Sequence, residues 1–111
     1  MDDSTREYAF AYAAVMNELP EQWHVEAAEY GFTVRHRLDD SLITNQPLNV
    51  IELLELVRSH WMEELGRVAP PGMKVIHTAS GYLLRDAVGN PVGIPMPPTD
   101  VRSLLAFLGY H

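Results

Sequence analysis

Cysteine is absent from this chain, which removes disulfides, thiolate metal centres, thiol nucleophiles and redox switching at one stroke. A chain without thiols suits a reducing compartment, so a cytoplasmic location is expected. Long apolar runs are missing as well. The longest mainly apolar stretch, residues 48–57, is broken by Glu52 and Glu55 and is too short to span a bilayer. The chain opens with Asp2 and Asp3 where a signal peptide would carry basic residues ahead of an apolar run, so no such peptide is expected.

Positive charge is scarce. Eight Lys and Arg stand against 15 Asp and Glu, for a net charge of −7. Residues 1–30 hold seven acids (Asp2, Asp3, Glu7, Glu18, Glu21, Glu26, Glu29) and a single base, Arg6. Such a distribution opposes non-specific nucleic-acid binding, which needs cations to displace phosphate counterions. It favours a protein partner with a basic surface.

Of the 111 residues, 47% are hydrophobic and 21% charged, the balance of a folded globular chain rather than a disordered one. That length fits one domain covering residues 1–111. No internal repeat, low-complexity segment or interdomain linker is apparent in the sequence.

The N-terminal pattern reads as two helices. Ser4-Thr5-Arg6-Glu7 has the form of a capping box, and Tyr8, Ala11, Tyr12, Val15 and Leu19 then make a helical stripe. Pro20 suits the first turn of a second helix with Trp23, Ala27 and Tyr30 on one face and Gly31 as its left-handed cap. Next, "FTVRHRLDD" alternates at the period of a half-buried strand. Phe32, Val34, His36 and Leu38 point inward, Thr33, Arg35 and Arg37 point outward, and Asp39-Asp40-Ser41 turns the chain.

The third helix is to be capped by Asn45 or Asn49, started by Pro47 and ended by Gly66. Its apolar residues, Val50, Ile51, Leu53, Leu54, Val57, Trp61, Met62 and Leu65, fill an arc of roughly 180° where a surface helix needs about 100°. The surplus is to be covered by the first helix or by a copy of this helix in a dimer, and a homodimer with Trp61, Leu54, Val57 and Leu65 at its interface is expected. Residues 68–98 read as a three-stranded meander whose last strand, with Pro91, Pro95 and Pro97 at one parity, belongs at an edge. Thr99 or Asp100 then caps a short helix of Val101, Leu104, Leu105 and Leu108 that Gly109 closes. The expected fold is α+β in the order α-α-β-α-β-β-β-α, with about four antiparallel strands and helices on one face.

Chemistry-bearing patterns are weak throughout. His24, His36, His60, His77 and His111 never fall in HxxxH or HExxH, and a metal site would have to assemble from His36 and His77 on neighbouring strands. Glu52, Glu55, Glu63 and Glu64 lie on the solvent side of a helix, where nothing sets their pKa values apart. Ser80 lacks a nucleophile elbow, and Gly89-Asn90-Pro91-Val92-Gly93 is no phosphate cradle because Pro91 lacks an amide. Arg35, Arg37, Lys74 and Arg85 would line one basic strip on the outer face of a sheet, but only Tyr82 offers a base a stacking surface. No pattern implies a catalytic residue, a cofactor or a metal.

The function expected is therefore non-catalytic. It is that of a small acidic regulatory or inhibitory protein working through protein–protein contact, of the kind that blocks nucleic-acid-handling or defence machinery with a carboxylate surface. Glu18, Glu21, Glu26 and Glu29, with Arg35 and Arg37 on a surface of opposite sign, are its candidate partner-binding residues. The alternatives are a small metal-binding protein or enzyme using the strand histidines, and a sheet-based nucleic-acid binder.

Overall fold

The computed structural model describes residues 3–110, the side chains of Asp3 and Ser4 excepted. Asp2 and His111 lie outside the described residues, as does the side chain of the Ser4 cap. The fold is α+β, with helices packed against small antiparallel sheets. Its elements are α1 (Asp3–Glu18), β1 (Trp23–Ala28), β2 (Gly31–His36), α2 (Val50–Val68), β3 (Lys74–Thr78), β4 (Gly81–Arg85), β5 (Pro91–Met96) and α3 (Pro98–Phe107). No described helix is long and apolar enough to cross a membrane.

The order is α-β-β-α-β-β-β-α, which corrects the second helix expected over residues 20–30. Trp23, Ala27 and Tyr30 satisfy a helical spacing, but Trp23, Val25 and Ala27 equally satisfy alternation, and the tertiary context decides. β1 pairs with β2 in register Val25↔Val34 and Ala28↔Gly31, leaving Glu29 and Tyr30 as a two-residue loop. Gly31 is thus the first residue of a strand, not a helix cap. The chain beyond β2 returns along its other edge. Ile43 N–H donates to Val34 O (2.8 Å), and Phe32 and Leu48 exchange two backbone bonds of 2.8 Å each.

Val34 is buried and Phe32 half-buried, as the alternation requires, but His36 and Leu38 are exposed, Leu38 at 98%. Regular pairing stops at His36. Asp39 Oδ1 then accepts from Ser41 N–H (3.1 Å) and Ser41 Oγ–H (2.7 Å), closing the expected turn, with Asp40 at φ 61°.

Asn49 caps α2. Its Oδ1 accepts from Glu52 N–H (2.8 Å) while Glu52 Oε1 accepts from Asn49 N–H (3.1 Å), a reciprocal capping box. Buried residues on α2 are Val50, Leu53, Val57, Trp61 and Leu65, which span about 120° at 3.6 residues per turn. Trp61, Val57 and Leu65 are thereby covered within the chain, and Leu54 is half-buried. The wide arc consequently gives no argument for a second copy of the chain.

α2 also runs through Gly66 to Val68, so Gly66 does not end it. A Cβ at Gly66 would meet nothing within 4 Å. Gly66→Ala is expected to stabilise the protein by about 1 kcal/mol, the helical difference between the two residues, read as a higher urea midpoint at unchanged slope.

The chain divides into two compact units, Met1–Arg58 and Ser59–His111, with the boundary inside α2. In the first, the Tyr12 ring of α1 meets the Phe32 ring of β2 at 6.1 Å between centroids. In the second, β3, β4 and β5 form the expected meander in that order, so β5 is an edge strand, and α3 packs on β4. β4 and β5 are joined by a turn at Asp86–Gly89, where Gly89 N–H donates to Asp86 O (3.0 Å) and Asp86 Oδ1 accepts from the Val88 and Asn90 amides. Between Val92, opposite Leu84, and Met96, opposite Tyr82, β5 bulges, and Ile94 is exposed there rather than inward. α3 starts at Pro98 with Pro97 as its uncapped N-terminal flank, so Thr99 and Asp100 lie inside the helix. It closes as expected at Gly109, where Gly109 N–H donates to Ala106 O (3.0 Å) and Tyr110 N–H to Leu105 O (2.8 Å).

The two units repeat one plan, which corrects the expectation of no internal repeat. Each has a helix, a hairpin with a two-residue loop, a third extended segment on the second strand, and a following helix. Pro20, Val25, Gly31 and Arg35 recur fifty positions later as Pro70, Val75, Gly81 and Arg85. Trp23 N–H donates to Pro20 O (3.0 Å) and Met73 N–H to Pro70 O (3.1 Å). Phe32 stands opposite Leu48 as Tyr82 stands opposite Met96, and a helix follows two residues later in both. The buried residues correspond too: Ala11 and Val15 with Trp61 and Leu65, and Leu53 and Val57 with Val101 and Leu105.

Candidate protein-contact groove

The first unit carries eleven acids and four bases and so holds the whole net charge of −7, whereas the second holds four of each. On this acidic unit the hairpin loop, α1 and the start of α2 enclose an open groove of about 370 Å³. Its walls are Glu7 and Tyr8 from α1, Tyr30, Gly31 and Phe32 from the hairpin, and Asn49, Val50 and Ile51 from α2.

Local structure explains each wall. On α1 the expected stripe divides: Ala11 and Val15 are buried, while Tyr8 and Tyr12 are set aside and remain exposed. Gly31 sits so close to Leu48 that a side chain there would strike its carbonyl, and the loop residue Tyr30 stands out at 82% exposure. The capping box fixes where α2 begins, and Ile51, outside its buried stripe, lies 47% exposed on the groove wall. Tyrosine, phenylalanine and isoleucine supply the apolar surface. Glu7 and Asn49 supply the polar positions at its margin.

The acids singled out from the sequence do not form one face. Glu18 is mostly buried and its Oε2 lies 3.4 Å from Arg58 Nη2. Glu26 projects from β1, 3.4 Å from His24 and 3.6 Å from Arg35. Glu21 lies in the turn before β1 and Glu29 in the hairpin loop, both exposed. A helix would have aligned them, and the hairpin disperses them. Arg35 and Arg37 are structural as well as charged, since Arg35 Nη1 donates to Asp40 O and Arg37 Nε to Trp23 O, each at 2.9 Å. Tyr8, Tyr30, Phe32 and Ile51 line the groove although periodicity places each of them on a buried face.

His36 belongs to the two-stranded sheet and His77 to the three-stranded one, so the two are not on paired strands of one sheet. Among the described residues no three His, Asp or Glu side chains are grouped to hold a metal ion. His77 packs edge-on against Tyr82 at 5.0 Å. Burial pushes the His60 imidazole below its ordinary pKa, against the opposing pull of Glu64 and Glu63. The bonds from Ser41 hold the Asp39 carboxyl below the usual carboxylate range. Both shifts have structural causes. Of the carboxylates on α2, Glu52 is engaged in the cap and Glu64 pairs with Arg67 at 2.6 Å. Ser80 lies in a hairpin loop, its amide donating to Thr78 Oγ1. Arg35 lies on β2 and Arg37 just beyond it, whereas Lys74 and Arg85 lie on β3 and β4, so the four do not belong to one sheet.

The fold and groove define an acidic α+β chain of two like-built units, one bearing a groove walled by aromatic residues. Compared with protein families, curated proteins and solved structures, the chain matches none.

Proposed function

We propose that this is a small, acidic, non-catalytic regulatory or inhibitory protein that acts through protein–protein contact, with the groove of its first unit as the contact surface. The observation that carries the reading is the pair Tyr8 and Tyr30, 50% and 82% exposed, which line one apolar groove from α1 and from the hairpin loop. Tyrosine is enriched where binding energy concentrates, because its ring buries a large area while its hydroxyl stays hydrogen-bonded. The surrounding net charge of −7 favours a partner segment with basic residues, which it steers and holds in register. A nucleic-acid-handling or defence protein with a basic groove is such a partner.

The test is co-purification from the native cell with wild type and with Tyr8→Ala/Tyr30→Ala. Both tyrosines are exposed, so the double variant is expected to keep its circular dichroism and urea midpoint while losing the partner. Loss of two central aromatic anchors typically weakens an interface by about 2 kcal/mol or more each, beyond most wash conditions. Association of wild type should slow as salt rises. A variant that retains the partner undiminished overturns the groove as the contact surface.

A further inference from the structure

The internal repeat separates what the fold requires of the groove from what it does not. Gly31 and Phe32, which build its hairpin wall, recur fifty positions on as Gly81 and Tyr82, and each glycine lies against the backbone of the extended segment that follows. Glu7, Tyr8 and Tyr30 do not recur. The corresponding residues are Val57, Arg58 and Ser80. One copy of the plan is therefore built without a carboxylate or a tyrosine at these positions, and folding alone does not call for them in the other.

These residues share a chemistry. The face of an aromatic ring carries negative potential and attracts a cation. Tyr8 from α1 and Tyr30 and Phe32 from the hairpin line the groove together with Glu7, and the Phe32 ring is seated against Tyr12 at 6.1 Å between centroids. The unit around them holds eleven acids and four bases. One feature pulls the other way, since α2 begins at the groove and a helix N-terminus favours anions. The capping box answers that pull. Glu52 brings its own carboxylate to the Asn49 N–H (3.1 Å), and Asn49 Oδ1 takes up the Glu52 amide (2.8 Å).

Resting on the reading of this groove as the contact surface, we propose that it takes an arginine side chain of the partner, with the guanidinium on the faces of Tyr8, Tyr30 and Phe32 and paired with the Glu7 carboxylate. Arginine fits better than lysine. Its guanidinium is planar, stacks on rings, is more weakly hydrated than an ammonium and presents a fork of N–H donors that a carboxylate accepts. The exposed Ile51 offers the aliphatic stem an apolar surface.

The probes are end-blocked glycine pentapeptides whose central residue is arginine, lysine, glutamate or citrulline, the neutral isostere of arginine. Each is titrated at low salt against the full chain, with NMR as the readout. The arginine peptide should bind in the millimolar range or tighter and shift the ring protons of Tyr8, Tyr30 and Phe32. Citrulline keeps the shape and loses the charge, so its peptide should bind at least about tenfold more weakly. Tyr8→Leu/Tyr30→Leu keeps apolar surface without ring faces and should weaken the arginine peptide at least about fivefold, whereas Tyr8→Phe/Tyr30→Phe should hold it within about twofold. Glu7→Gln should weaken it at least about threefold. Equal binding of arginine and citrulline, preference for glutamate, full affinity in the leucine variant, or no ring-proton shift at tens of millimolar peptide would each overturn the proposal. A lysine peptide that matches the arginine one overturns the choice of guanidinium. The groove itself is judged separately, by whether Tyr8→Ala/Tyr30→Ala loses its partner. Loss of the partner beside indifference to arginine leaves the groove standing and sinks the arginine alone.

Discussion

Gly31→Ala is expected to destabilise the protein by about 3 kcal/mol or more, enough to leave a large fraction unfolded. Gly31 sits at φ +144°, and a Cβ there would fall 2.5 Å from the Leu48 carbonyl oxygen. Neither atom can retreat cheaply, because Leu48 is bonded to Phe32 through both its N–H and its C=O. Gly81 repeats the arrangement at φ +135°, with a Cβ 2.8 Å from Met96 O, so Gly81→Ala should behave alike. Urea unfolding followed by circular dichroism decides the matter, with Gly66→Ala as the matched substitution in open space. If Gly31→Ala and Gly81→Ala unfold at the wild-type midpoint, the close approach that defines both hairpins is wrong.

Val34→Asp should be equally severe. Val34 is 0% exposed, opposite Val25 in the first hairpin. An unpaired buried carboxylate costs several kcal/mol, a large share of the stability of a chain this size. Its neighbour Thr33 lies on the other face, opposite Glu26. Thr33→Asp should therefore cost only about 0.2–1 kcal/mol, from like charges facing one another. Equal tolerance of the two substitutions, in the same urea assay, would remove the basis for placing "FTVRHRLDD" in a half-buried strand.

Much of the fold could be read directly wherever one periodicity was supported by chemistry at its ends. α2 carries a long apolar stripe and an Asn49 cap, the meander carries Asp86–Gly89 and Gly81, and β5 carries its prolines at one parity. Local chemistry alone determines such elements, since a cap, a turn and a proline each act within a few residues. The segment from Pro20 to Tyr30 had no such support. Its apolar residues fit both periods, and it becomes a strand through pairing with β2, from Trp23↔His36 to Ala28↔Gly31, which no pattern within the segment itself announces.

That one change rearranged the candidate site. With a hairpin in place of a helix, Glu18, Glu21, Glu26 and Glu29 separate, and Tyr30 moves from a supposed core to the wall of an exposed groove. The repeat was hidden for a related reason. The identities between the units are few, Pro20, Val25, Gly31 and Arg35 with their partners, because a strand pair fixes only the residues that turn it or approach another backbone. By itself the sequence determined the fold class, the acidic balance, the edge strand and the exclusion of thiol chemistry, since these follow from composition and local pattern. Which aromatic residues face solvent and which acids are already paired were decided only by the tertiary structure, because each depends on side chains that strand register brings together.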